Sequence, residues 1–167
     1  MRLWLFKSEP DVFSFADLKA RRRRREPWNG VRNYQVRNYM RDEMNPGDHG
    51  LFYHSSCDEP GVAGLLRLCS VAKPDPTQFE RGGEYEDPKS TPENPRWLLV
   101  DVEWAADLPA FVGLPKLRAD PALAEMLILR RGNRLSITPV EAAHFRRVCQ
   151  LGGLKTAAIK TLLAKAG

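Results

Sequence analysis

Trp28-Asn29-Gly30-Val31-Arg32-Asn33-Tyr34-Gln35-Val36-Arg37-Asn38 is the stretch on which the reading of this chain turns. It sets aromatic rings, side-chain amides and arginines within one short segment. Amides match the donor and acceptor edge of a nucleobase, a ring stacks on its face, and guanidinium groups hold phosphate. The plainer reading is an Asn29-Gly30 turn followed by a surface helix, with Trp28 and Tyr34 half buried. Both readings start a helix near Asn33 or Tyr34. Val36, Tyr39, Met40 and Met44 form its apolar stripe, Arg37 and Arg41 share another side, and Asn45-Pro46-Gly47-Asp48 ends it.

Upstream, Leu3 to Lys7 reads as a first strand, because Ser8-Glu9-Pro10 cuts the apolar run too short for a signal peptide. Ser14-Phe15-Ala16-Asp17 has the spacing of a capping box and predicts a helix that buries Leu18 and runs on into Arg21, Arg22, Arg23, Arg24 and Arg25. This arginine run carries much of the net charge of +5, which favours an anionic partner. It reads equally as a solvated helix end or as an arm that contacts phosphates; the second predicts steeply salt-dependent binding. In a eukaryotic source it also has the composition of a nuclear import signal.

Downstream the texture turns to strands. Leu51 to His54 and Val62 to Val71 are separated by the turn Asp58-Glu59-Pro60-Gly61. From Leu98 the pattern alternates, with Leu98, Val100, Val102 and Trp104 on one face and Leu99, Asp101 and Glu103 on the other. Trp97 and Trp104 are expected in the core or at its rim. Pro74 to Pro95 forms a long connection rich in Pro, Asp, Glu and Gly, of a length often tied to function. Short helical turns follow at Leu114 to Leu117 and Pro121 to Met126, the second capped by Asp120. Arg134 to Thr138 reads as the last strand. Thr138-Pro139-Val140-Glu141 then reads as the start of a helix that ends at Gly152-Gly153. Residues 1–152 form one domain, and 153–167 a weakly amphipathic helical extension expected to pack loosely.

Strands interrupted by helices, without βαβ repeats, predict an α+β fold: a small mixed sheet curled into a barrel and flanked by helices. There is no GxGxxG and no phosphate-loop motif, so no nucleotide cofactor is expected. A hydrophobic content of 43% and a charged content of 28% over 167 residues are ordinary for a soluble domain. Apolar runs such as Met126 to Leu129 are too short for a bilayer. Cys57, Cys69 and Cys149 are odd in number and far apart, which argues against a disulfide framework and for a cytoplasmic setting, or a nuclear one in a eukaryote. Neither they nor His49, His54 and His144 show metal-ligand spacing, and no metal is expected. The oligomeric state is not legible.

Seven fragments in this order resemble the EVE domain family. They are Trp4 to Pro10, Trp28 to Asn38, Phe52 to Ser55, Pro60 to Gly64, Asp87 to Ser90, Asn94 to Trp97, and Leu129-Arg130-Arg131 leading to Arg134 through Val140. The likeness runs from about Leu3 to Leu151. It implies a PUA-like fold and the reading of modified bases, such as 5-methylcytosine or its oxidised forms, in DNA or RNA. It places Lys7, Ser8, Trp28, Asn29, Asn33, Tyr53, His54 and Ser55 around a base-sized pocket. Arg21 to Arg25, Arg32, Arg37 and Arg130 are candidate phosphate contacts, and no residue is expected to be catalytic. The arginine run before Trp28 and the residues after Gly152 depart from the family pattern.

Two other functions compete. Lys7-Ser8 and the run His54-Ser55-Ser56-Cys57-Asp58-Glu59 hold the residue types of a hydrolase acting on a modified nucleotide. Adjacent residues on a strand face opposite sides, however, and no G-x-S-x-G elbow is present. A protein-interaction module with Pro74 to Pro95 as its contact surface would bind independently of Trp28.

Overall fold

The computed structural model of the chain describes residues 1–164. Among these residues eight strands are formed: β1 (Leu3–Ser8), β2 (Arg25–Pro27), β3 (His49–His54), β4 (Gly61–Leu68), β5 (Lys73–Pro74), β6 (Leu98–Leu99), β7 (Asp101–Gly113) and β8 (Ile137–Pro139). Six of them make one sheet in the order β2-β7-β4-β3-β1-β8, while β5 and β6 pair separately. β1 and β3 run parallel, with Leu3 opposite His49 and Ser8 opposite His54; the other pairings are antiparallel. Register shifts between β3 and β4 and twice between β4 and β7 mark bulges, which deepen twist and curl the sheet into a partial barrel.

Both faces of the sheet are covered, which is why its central strands read as unbroken apolar runs. Leu3, Leu5, Leu51, Val62, Leu65 and Val112 face one core, and Trp4, Phe6, Phe52, Leu66 and Leu68 face the other. The first core is roofed by α3 (Leu114–Ala119), α4 (Ala142–Leu151) and α5 (Thr156–Ala164), which contribute Leu117, Phe145, Val148, Cys149 and Ile159. Burial pushes the Cys149 thiol up to about 12, so it behaves as an apolar group. The second core is roofed by α1 (Phe15–Ala20) and α2 (Tyr34–Asp42), with Phe15, Leu18, Val36 and Met40 inward. α1 sits close because Gly64 carries no side chain: a Cβ there would stand 2.1 Å from the Phe15 ring.

Local signals behave as expected at several boundaries. Ser14 and Asp17 form the reciprocal capping box of α1, and the Asn33 side chain accepts from the Val36 amide at the start of α2. Asp120 accepts from Ala122 N–H. Four expectations are corrected. α1 stops at Ala20, and Arg22–Arg24 form a tight turn in which Arg23 and Arg24 take left-handed φ values of 57° and 54° before β2 begins. Pro139 belongs to β8, so α4 starts from Glu141 without a side-chain cap. The alternating run from Leu98 is divided between β6 and β7, although its expected face holds: Val100 and Val102 enter the second core and Leu98 and Trp104 pack against it. The tail is anchored, since Ile159 is 2% exposed against the first core; Lys165, Ala166 and Gly167 of that tail lie outside the described residues.

Candidate nucleic-acid interface

A cavity of about 590 Å³ opens where β1 ends, between the chain leaving it, the turn after β2 and the long connection before β6. Lys7, Ser8, Trp28, Asn29 and Asn33 all line it, with Phe13, Gly30, Arg32, Glu84 and Tyr85. Five of the eight residues expected around a base therefore meet.

Trp28 forms part of the wall from within the aromatic core. It is 7% exposed and meets Phe6, Phe13 and Phe52 edge-on, at centroid distances of 5.1, 6.2 and 5.5 Å. Lys7 is half-buried, with no carboxylate at ion-pair distance among the described residues, and burial lowers its pKa below the ordinary lysine value. Ser8 Oγ donates to Phe13 O at 2.5 Å, shaping the chain over the cavity. The Asn33 side chain is engaged at the head of α2, while the exposed Asn29 has its amide free for a ligand among the described contacts.

The opposite wall is held by Asp75, which is fully buried. Its carboxylate accepts from Gly30 N–H at 2.8 Å, Arg32 Nη1 at 3.0 Å, Thr77 N–H at 2.9 Å and Thr77 Oγ at 2.6 Å. Burial raises the Asp75 pKa, but these hydrogen bonds outweigh it and hold the group below the ordinary carboxylate value. Arg32 also donates from Nε and Nη2 to Tyr85 O, at 3.1 and 2.7 Å. Gln78 ties the same connection to Trp97, Ser90 and Arg96. Tyr85 is thereby pressed onto Gly30 (φ +78°), where a Cβ would come within 2.7 Å of the ring. Asp75, Gln78 and Tyr85 escaped notice in the sequence. Their only signal was their place in the long connection from Pro74 to Pro95.

The remaining three pocket candidates lie elsewhere. Tyr53 is 4% exposed in the core on the opposite face of the sheet. His54 borders a separate hollow with Pro10, Asp11, Cys57 and Phe111, and its Nε2 accepts the Phe15 amide at 3.1 Å. Burial lowers its pKa, disfavouring the protonated ring, which could not accept at Nε2. Ser55 donates its backbone N–H to Ser8 O, and no hydrogen bond joins His54 to Ser55 among the described residues. The residue types of a hydrolase are present here without a base–nucleophile contact.

The arginines divide similarly. Arg32 is a clamp on the cavity wall and has no donors left for phosphate, which corrects its expected role. Arg21 pairs with Glu26 at 2.8 Å and Arg25 with Glu103 at 2.7 Å, while Arg24 lies over Trp104. Arg22 and Arg23 are exposed without ion pairs among the described residues. Arg37 lies over the Tyr34 ring, and Arg130 pairs with Glu125 at the surface, outside the cavity lining.

A curled mixed sheet of this order, helices on both faces and a pocket at the end of its parallel pair make this an α+β domain of the PUA-like class. The chain belongs to the EVE domain family, whose model matches residues 2–151. It is 39% identical over 165 residues to thymocyte nuclear protein 1 of Homo sapiens, covering 89% of this chain and 72% of that one. The crystal structure of human THYN1 in complex with DNA containing 5-methylcytosine matches it with a TM-score of 0.86 at 38% identity, over 93% of this chain and 99% of that one. A crystal structure of a Pseudomonas syringae protein matches with a TM-score of 0.84 at 39% identity, over 90% and 99%.

Proposed function

We propose that this protein reads a modified base in nucleic acid, taking the base, flipped out or unpaired, into the cavity beside β1. The observation that carries this is the convergence of Lys7, Ser8, Trp28, Asn29 and Asn33 on one cavity of about 590 Å³, within the roughly 300–1,000 Å³ of small-molecule sites. Support comes from the related human THYN1, whose structure was determined with DNA containing 5-methylcytosine. In this reading 5-methylcytosine or an oxidised form of it is the ligand. Trp28, Phe13 and Tyr85 enclose its ring. The Lys7 ammonium and the Asn29 amide meet its polar edge.

Extrusion from a duplex costs a few kcal/mol, and stacking returns about 1–3 kcal/mol per base, so polar contacts at the base edge complete the balance. Arg22 and Arg23 are the arginines of the run left to meet phosphate. Binding, without turnover, is the function. The protein works wherever its nucleic acid lies, the cytoplasm or, in a eukaryote, the nucleus.

The test compares binding of oligonucleotides that differ only in cytosine, 5-methylcytosine or 5-hydroxymethylcytosine, for the wild type and Lys7→Met. Tighter binding of a modified strand, weakened in the variant, is expected. Equal affinity for all strands, with the same salt dependence in both proteins, would reduce the protein to an electrostatic binder.

A further inference from the structure

We propose that the cavity is the first of two nucleotide subsites, and that the Arg37 guanidinium, held over Tyr34, stacks a second, unmodified base. This rests on the reading of the cavity as a base site. A column of planar groups in pairwise contact links the cavity wall to α2. Tyr85 lines the cavity, and Arg32 Cζ lies 5.5 Å from its ring centroid and 5.6 Å from that of Trp97. The Trp97 and Tyr34 rings follow at 4.8 Å, tilted by 31°, and Arg37 Cζ lies 4.8 Å from the Tyr34 centroid.

The two ends of the column differ. Its inner members are spent on structure: Trp97 is 7% exposed, and the donors of Arg32 are committed to the wall. Tyr34, by contrast, is 53% exposed, although aromatic residues at this helical spacing are ordinarily expected to pack. Its neighbour Asn33 is a cavity residue, and Arg37 stands one turn further along α2, about 5 Å along the axis. The guanidinium of Arg37 is oriented rather than loose. Nε and Nη2 donate to Asn38 Oδ1 at 3.2 and 2.8 Å, and Nη1 to Arg96 O at 3.4 Å. No carboxylate forms an ion pair with it among the described residues. An oriented, unpaired guanidinium backed by an aromatic ring is a surface on which a base stacks with little regard to its identity. A base seated there has left its helix, so the ligand is a strand that is unpaired, or locally opened, over at least two nucleotides.

The experiment measures binding of 5-methyldeoxycytidine, of a trinucleotide with 5-methylcytosine between two thymidines, and of the same trinucleotide with abasic flanks. In the wild type the thymine-flanked strand is expected to bind about tenfold more tightly than its abasic counterpart. Tyr34→Ala and Arg37→Ala bring that ratio close to one. Arg37→Lys does so too, because lysine keeps the charge and lacks the plane. A ratio preserved in Arg37→Lys, or no flank effect in the wild type, would overturn the second subsite while leaving the cavity reading intact. Failure of both nucleoside and trinucleotide to bind would remove both.

Discussion

On one face of the sheet Leu5, Leu51 and Val62 pack against Leu117, Phe145, Val148 and Ile159 of α3, α4 and α5; on the other, Phe6, Phe13 and Phe52 pack ring against ring around Trp28 and the layer ends at a cavity. Aliphatic side chains interdigitate and seal. Large rings that meet edge-on are rigid, and the space beside them is bordered here by a polar loop and left open as the cavity. In the function proposed above, the sealed face carries stability and the open face recognition. Substitutions are therefore expected to separate the two properties.

The largest stability effect is expected on the sealed face. Phe145→Ala, at a fully buried ring, costs about 3–5 kcal/mol in urea unfolding and leaves the preference for a modified base unchanged in the protein that remains folded. A loss of preference equal to that of a cavity variant would break the division between faces.

Asp75→Asn comes next, at about 2–3 kcal/mol, because it strips the charge that satisfies Arg32. Since the Asp75 pKa is depressed in the folded protein, its contribution is full above the ordinary value of 3.8 and is lost as the pH falls through the folded value. The stability gap between wild type and variant should thus be widest near neutral pH and close in acid. A gap independent of pH would refute the carboxylate's role.

Gly30→Ala is expected to cost about 1–2 kcal/mol for its left-handed backbone, and to displace Tyr85. It should weaken base binding more than Phe145→Ala does, as read by titration. Lys7→Met inverts the order. Burial disfavours the protonated amine, so thermal stability stays within about 0.5 kcal/mol or rises, while affinity for the modified strand falls about tenfold. The smallest stability effect belongs to Arg22→Gln with Arg23→Gln. This pair should leave unfolding unchanged and lower the slope of log affinity against log salt by about two.

Much of the frame was legible because it is local. Ser14 with Asp17 and Asp120 before Pro121 each satisfy amides within three residues of themselves. The cavity was legible in part: Lys7, Ser8, Trp28, Asn29 and Asn33 come from two motifs that the sheet and its following turn bring side by side. Tyr53 was misplaced for a physical reason. β1 and β3 are buried on both faces, so no polar alternation marks which face a given ring will take. The arginine turn was also illegible, because Arg23 and Arg24 adopt a left-handed backbone that no glycine or asparagine announces.

The sequence by itself determined the α+β class, the main strands, the cap of α1, the start of α2 and the family resemblance that the family match to residues 2–151 supports. Only the tertiary structure decided which arginines were spent and which were left. Arg32 finds Asp75, Thr77 and Tyr85 at separations of 43 to 53 residues, and Arg25 finds Glu103 across 78. Propensity and capping act over a turn of chain, whereas the pairing of charges is settled only when folding brings distant segments within a few ångströms of one another.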